Sequence, residues 1–189
     1  VLAFCVSVFL PAASLAQKVK LRSQTVPACA TASSLKYADL HADGNIAVLG
    51  SFNCRGVFIF DISDPDNPNL ASWYNPGANL QFLEAIVIGN RGYFGTGNTG
   101  GVHIVDLTIP TNPQLLGIVN ASNGGGHPTI HEMMVFDQGN ARYLLENSNS
   151  TSVRSLRIID VTNPAAAVLK WEFNHSDNGW VHAMHIRGN

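Results

Sequence analysis

The sequence has few charged residues, 13% in all, against about 25% in ordinary soluble domains. Eleven basic and thirteen acidic side chains give a net charge of −2, and no run of lysine or arginine occurs. This scarcity argues against a nucleic-acid partner or an anionic membrane surface. After residue 16 no apolar run approaches the ~18 residues of a spanning helix. We therefore expect no transmembrane segment in the mature part.

Several sequence motifs of catalysis are also missing. No G-x-S-x-G pattern occurs, which gives no support to a serine hydrolase of that type. The three cysteines form no C-x-x-C pair, so the cysteine spacing does not indicate a zinc site. The glycine-rich stretch 95–101 lies between two expected strands with no helix after it, unlike a phosphate loop. Function must therefore be argued from the architecture.

The first sixteen residues are almost wholly apolar and end in Ser14-Leu15-Ala16, the small-x-small pattern of a cleavage site. This pattern predicts a partial signal peptide over 1–16, without a start methionine, and a mature chain that begins at Gln17. Residues 17–36 then form an N-terminal lead-in. The alternative is a buried N-terminal strand. A signal peptide implies a secreted, periplasmic or cell-surface protein.

Two cysteines, Cys29 and Cys54, remain after removal of the signal peptide. An even number of cysteines in an oxidising compartment is compatible with a disulfide. The alternative, which the sequence leaves open, is two separate buried thiols.

A short motif occurs three times along the chain. An apolar strand ends at an aspartate, a hydroxyl residue follows two positions later, and a proline follows four positions later. The aspartate can accept backbone N–H groups in an Asx turn, and the proline ends strand pairing. We therefore interpret these residues as structural turns. They are Asp61, Asp106 and Asp160, with Pro65, Pro110 and Pro164.

Two further short strands precede each motif and are separated by Gly-Asn turns. Each repeat therefore holds four antiparallel strands, which is typical of a β-propeller blade. The sequence predicts an all-β fold: a β-propeller fragment of about three four-stranded blades plus the first strand of a fourth. The alternative is a β-sandwich. The expected blades of this incomplete propeller (37–189) cover about 37–80, 83–129 and 131–180, and the next begins at 181–189, with the remaining blades outside this chain.

The motifs Gly-Val-His-Ile-Val-Asp-Leu-Thr (101–108) and Gly-Val-Phe-Ile-Phe-Asp-Ile-Ser-Asp-Pro (56–65) resemble the LVIVD repeat. That repeat is found in secreted bacterial and archaeal β-propellers, including the choice-of-anchor B group. The resemblance covers residues ~37–189 and implies a propeller outside the cytoplasm. It implies little about activity.

The first strand of each propeller blade lines the central channel, so equivalent positions there form a ring. Aligning the repeats on their Gly-Asn turns places Glu84, Glu132 and His182 at nearly the same position, with Ala38 in the first blade. Loops that enter these strands share one face of a propeller, where binding sites concentrate. These residues are the candidates for a channel ring.

Histidines and a glutamate are concentrated at the same channel mouth. Imidazole and carboxylate groups are suitable ligands for a divalent metal such as zinc or copper. The metal-ligand candidates are His127, His131, Glu132 and His182. The alternative is a structural role, in which these side chains satisfy loop backbone groups or face solvent. We expect Trp73, Trp171 and Trp180 to pack between blades.

Taken together, these features favour a secreted or periplasmic binding scaffold over an enzyme, with an unknown protein or carbohydrate as its ligand; they leave enzymatic activity undecided. Two alternatives remain open. One is a metal-dependent enzyme with a His/Glu site at the channel mouth. The other is a structural module of a larger surface-anchored protein.

Overall fold

The computed structural model describes residues 19–77, 79–150, 152, 155–174 and 181–187. The described chain consists of β-strands and loops, with one short 3₁₀ helix at Pro164–Ala166. The predicted signal peptide and Trp180 lie outside the described residues. The strands of the described part are β1 (Tyr37–Asp43), β2 (Ile46–Ser51), β3 (Val57–Asp61), β4 (Asn69–Tyr74), β5 (Phe82–Ile88), β6 (Arg91–Thr96), β7 (Val102–Asp106), β8 (Gln114–Val119), β9 (Ile130–Gln138), β10 (Ala141–Ser148), β11 (Ser155–Asp160) and β12 (Val168–Asn174).

These strands form three consecutive four-stranded units. The first unit is β1–β4, the second is β5–β8 and the third is β9–β12, and within each unit every strand pairs antiparallel with the next. A single bridge between Ser51 and Phe82 joins β2 of the first unit to β5 of the second. The prediction of an all-β fold of the propeller type, with four-stranded blades, is confirmed.

Two apolar clusters hold the units against one another. Full burial of one large aliphatic or aromatic side chain contributes about 1.5–3 kcal/mol, so these interfaces supply most of the stability. The cluster between the first and second units includes Val48, Val57, Ile59, Phe82, Val87 and Phe94. The cluster between the second and third units includes Tyr93, Ile104, Ile130, Met133, Leu144 and Ile159.

The repeated aspartates each close a turn after the third strand of a unit. The Asp61 carboxylate accepts the Ser63 N–H at 2.9 Å. Asp106 and Asp160 accept the N–H groups two residues later at 2.8 and 3.0 Å. Hydrogen bonds to the charged form lower the pKa of all three carboxyl groups: the hydroxyl and then the N–H group of the threonine two residues later for Asp106 and Asp160, and the N–H and then the hydroxyl group of Ser63 for Asp61.

The structure differs from the sequence prediction at the expected fourth unit. Residues 181–187, where a first strand was expected, contain no strand. The first strand of each unit pairs with the second strand of the same unit, and the described residues include no such partner for 181–187. Among the described residues, no helix has the length and apolar character needed to cross a membrane.

Candidate functional site

The first strands of the three units lie beside one another, because β5 contacts β1 on one side and β9 on the other. Their register is set by equivalent pairs near the start of each strand, Tyr37–Ser51, Phe82–Thr96 and Ile130–Ser148. Two residues after each of these positions stands an acidic residue. These residues are Asp39, Glu84 and Glu132.

The three carboxylates line one cavity of about 360 Å³. Its remaining walls are mostly apolar, and an imidazole lies at one side. The other lining residues are His41, Ile86, Ile88, Met133, Met134 and Val135. A neighbouring cavity of about 260 Å³ also includes Asp39 and Glu84 in its wall and extends to His131. A concave, largely apolar surface with a few convergent polar groups is typical of ligand sites.

Burial, together with the neighbouring carboxylates Asp39 and Glu132, raises the pKa of Glu84 to about 8. Burial also raises the pKa of Asp39. Both effects disfavour the charged carboxylate, because it has lost hydration and faces like charges. A cation placed among the three carboxylates would offset the repulsion between their like charges.

The structure brings together two of the three predicted ring residues, Glu84 and Glu132. The first-unit position is occupied by Asp39 and not by Ala38, which the alignment had placed there. The turns align these strands ambiguously, because β9 has nine residues whereas β1 and β5 have seven: Asp39 and Glu84 both lie five residues before the glycine of their turn, and Glu132 lies seven residues before Gly139. His182 lies in the segment without a strand, and its ring is 4.7 Å from that of His131 in an edge-on contact.

His127 lies apart from the other metal-ligand candidates and is almost fully buried, with 1% of its surface exposed. Its Nε2 is 2.8 Å from Ser155 Oγ, and its Nδ1 is 3.1 Å from Glu146 Oε1. The same Glu146 oxygen accepts the His127 backbone N–H at 2.7 Å. Within the described ranges, no group of three or more His, Cys, Asp or Glu side chains could hold a metal ion.

Sequence reasoning missed both partners of His127. The order Ser155, His127, Glu146 resembles the hydroxyl–imidazole–carboxylate relay of serine hydrolases. Here, however, Glu146 and Ser155 are 0% and 5% exposed, which leaves the hydroxyl almost inaccessible. The three groups instead fasten the linker between the second and third units to β10 and β11.

A simpler polar contact joins the first and second units. Tyr74 Oη at the end of β4 lies 2.8 Å from His103 Nδ1 in β7, and the pair is buried. Burial lowers the pKa of His103 to about 4 and raises the pKa of Tyr74 to about 12. Both groups are therefore neutral near pH 7.

A disulfide joins the N-terminal lead-in to the first unit. Cys29 and Cys54 form a disulfide with a Cα–Cα distance of 5.5 Å, within the normal range for such bridges. The bridge ties residues 19–36 to the loop between β2 and β3.

The chain is similar to known proteins in its repeats and in its fold. The family model of the LVIVD repeat matches residues 42–76 and 152–175; these regions contain the first and third copies of the repeated motif. No curated protein sequence matches the chain. The solved structure titled "Crystal structure of the computationally designed Ika4 protein" has a TM-score of 0.57 and 14% sequence identity, covering 88% of this chain and 89% of that chain. At this identity the likeness concerns the fold alone. The chain therefore carries LVIVD repeats on an all-β, propeller-like fold.

Proposed function

We propose that this repeat protein is a binding scaffold whose ligand presents a positively charged group to the acidic cavity on β1, β5 and β9. The observation that carries the proposal is the presence of carboxylates at one register position on three adjacent strands, Asp39, Glu84 and Glu132, around a single cavity. Repeat folds commonly use such aligned positions on successive units as binding surfaces.

Electrostatics supports a cationic ligand. Burial, Asp39 and Glu132 all raise the pKa of Glu84, so the empty cavity keeps Glu84 largely protonated at neutral pH. A cation favours the charged carboxylate and should therefore expel that proton as it binds. The apolar walls, which include Ile86 and Met133, suit the hydrocarbon part of an amine.

Calorimetric titration with spermidine, used as a probe amine, tests this function. At pH 7 we expect binding that weakens with salt and releases a fraction of one proton, seen as a heat that depends on the buffer's ionisation enthalpy. Glu84→Gln should weaken binding by about tenfold, or ~1.4 kcal/mol, and abolish the proton release.

Glu172→Gln is the matched control, because it makes the same carboxyl-to-amide change on the outer strand β12, where Glu172 pairs with Arg157. It should leave the affinity for spermidine unchanged. Equal losses in both variants, or binding without proton release, would contradict a site at the acidic cavity.

We also propose that the protein acts outside the cytoplasm. The signal-like residues 1–16 and the Cys29–Cys54 disulfide support this compartment, because disulfides persist where conditions are oxidising. Mass spectrometry of the protein secreted by its own cells should find an N-terminus at Gln17. Retention of residues 1–16 on the natural protein would contradict the proposal.

A further inference from the structure

One face of the first unit is covered without the help of another unit. Ala47, Phe58 and Phe60 point away from the second unit, yet they are only 8%, 4% and 5% exposed. These side chains pack against Tyr37, Leu49, Cys54 and Ile62 of the first unit, and the N-terminal segment 19–36, called here the strap, lies beside them. Strap residues 28–31 share a cavity wall with Phe58 and Trp73.

The strap contains no strand and is attached by side chains at both of its ends. Near its start, Arg22 forms a paired salt bridge with Asp66, and Ser23 Oγ donates to the Pro65 carbonyl at 2.7 Å. Near its end, Asn53 Nδ2 donates to the Leu35 carbonyl at 2.6 Å. The Arg22 and Asp66 side chains are 53% and 52% exposed, and ion pairs this exposed contribute little to stability.

The only covalent cross-link in the described part of the strap is the Cys29–Cys54 disulfide. Cys54 lies in a tightly built loop, since Arg55 and Gly56 have φ angles of 59° and 68° and Trp73 Nε1 donates to the Arg55 carbonyl at 2.8 Å. The loop therefore holds one end of the bridge fixed. Both cysteines are partly exposed, so a small thiol can reach the bridge.

Ordering eighteen residues of extended chain carries a large conformational entropy cost. The exposed ion pair and the few hydrogen bonds offset only part of that cost. The bridge lowers it by keeping the middle of the strap beside the sheet even when the other contacts open. The position of the strap thus depends on the disulfide more than the pairing of the strands does, because the strands are held by backbone hydrogen bonds to one another.

We propose that the strap is a redox-latched cap on the outer face of the first unit. A dithiol reductant breaks the S–S bond; Cys29 and Cys54 each gain a hydrogen as thiols, and the reductant is oxidised to its own disulfide. The strap then leaves the sheet and exposes the apolar face around Phe58 and Phe60. This device is separate from the acidic cavity and does not depend on its ligand.

Limited trypsin digestion of the full chain tests the latch, because Lys20 and Arg22 lie in the strap and Arg142 lies within β10. The chain is compared with its Cys29→Ser/Cys54→Ser variant, both carrying Cys5→Ser. We expect cleavage at Lys20 and Arg22 to become at least tenfold faster in the variant, while cleavage at Arg142 stays slow. Fluorescence of the apolar dye ANS should rise several-fold.

Two further arms make the result decisive. Native chain that is reduced with dithiothreitol and then alkylated should behave like the variant, and Arg22→Ala with the disulfide intact should leave cleavage at Lys20 slow. Unchanged cleavage of the strap without the disulfide would overturn the proposal. Faster cleavage at Arg142 as well would overturn it too, since the bridge would then hold the whole fold and not the cap.

Discussion

Two buried histidines, His103 and His127, join neighbouring parts of the fold through different partners. His103 is 3% exposed and contacts Tyr74 of the first unit. His127 is 1% exposed and contacts Ser155 and Glu146 of the third unit. Buried polar groups are costly without hydrogen-bond partners, so each contact requires one particular arrangement of the units. Apolar packing alone would tolerate several arrangements of the units.

Replacement of His127 tests this argument at the residue scale. His127→Ala removes the imidazole that contacts Glu146 and Ser155, whereas the backbone N–H of residue 127 still donates to Glu146 Oε1. We expect a loss of about 3 kcal/mol in the free energy of unfolding, because breaking a buried pair strands the other group. Urea denaturation followed by circular dichroism measures the change.

The double variant His127→Ala/Glu146→Gln is the control for His127→Ala. It should recover part of the loss, since a neutral amide costs less to bury than a carboxylate. A loss below ~1 kcal/mol in the single variant would show that the contact is dispensable.

Individual contacts of this kind could not be predicted from the sequence. His127 was singled out, but Glu146 and Ser155 lie 19 and 28 residues away and meet it only because β10 and β11 lie behind the linker. Trp73 and Trp171 were expected between units, whereas both stand on outer strands, 49% and 48% exposed. Aromatic character predicts an apolar contact but not which surface supplies it.

At the scale of elements, local chemistry predicts turns and strand spacing well. The Asp-x-hydroxyl turns need only a carboxylate and the N–H group two residues later. Register is less predictable, because the distance from the Gly-Asn turn to the start of the first strand differs between units: β9 has nine residues, whereas β1 and β5 have seven. Asp39 was therefore overlooked as the third member of the acidic cavity.

The glycine that opens the third strand of a unit provides a test at this scale. Gly101 has a φ of 74°, and a Cβ there would lie 2.1 Å from the Val119 carbonyl oxygen. Gly101→Ala should therefore destabilise the fold by at least ~2 kcal/mol, through backbone strain and a clash with the backbone of β8. Thermal unfolding provides the measurement.

Gly44→Ala is the matched control for Gly101→Ala. Gly44 has a similar φ of 57°, but a Cβ there meets nothing within 4 Å. Its cost should be limited to the left-handed conformation, about 1 kcal/mol. Equal effects of the two substitutions would mean that the clash with Val119 is relieved by local movement.

For the whole molecule, the arrangement of units follows from the repetition of one short motif. Each four-stranded unit has an apolar face that it cannot bury alone, so successive units pack against each other. This part of the architecture was predictable from the spacing of Asp61, Asp106 and Asp160. The interfaces also contain buried histidines, and the inner strands carry a group of carboxylates. The presence of these polar groups depends on single substitutions within the repeat.

Those substitutions predict an unusual dependence of stability on pH. The folded pKa of His103 is about 4, below the usual histidine value of 6.5. Between these values the unfolded state binds more protons, so stability falls as the pH drops from 6.5 to 4. The shift corresponds to about 3 kcal/mol. The folded pKa of Glu84 is about 8, above the usual glutamate value of 4.5, so stability contributed by its protonated form is lost as the pH rises from 4.5 to 8.

The two effects oppose each other and nearly cancel between about pH 4.5 and 6.5, so the free energy of unfolding should be level there and fall on both sides. His103→Phe should leave a stability that falls from pH 4.5 to 8, and Glu84→Gln should leave one that rises up to pH 6.5 and is level above it. Urea titrations of the native chain and both variants at half-unit pH steps test this. If Glu84→Gln left the alkaline side unchanged, the pKa of Glu84 would not be raised in the folded protein. The proton release expected on cation binding would then disappear, because it requires a Glu84 carboxyl that is protonated before the cation binds.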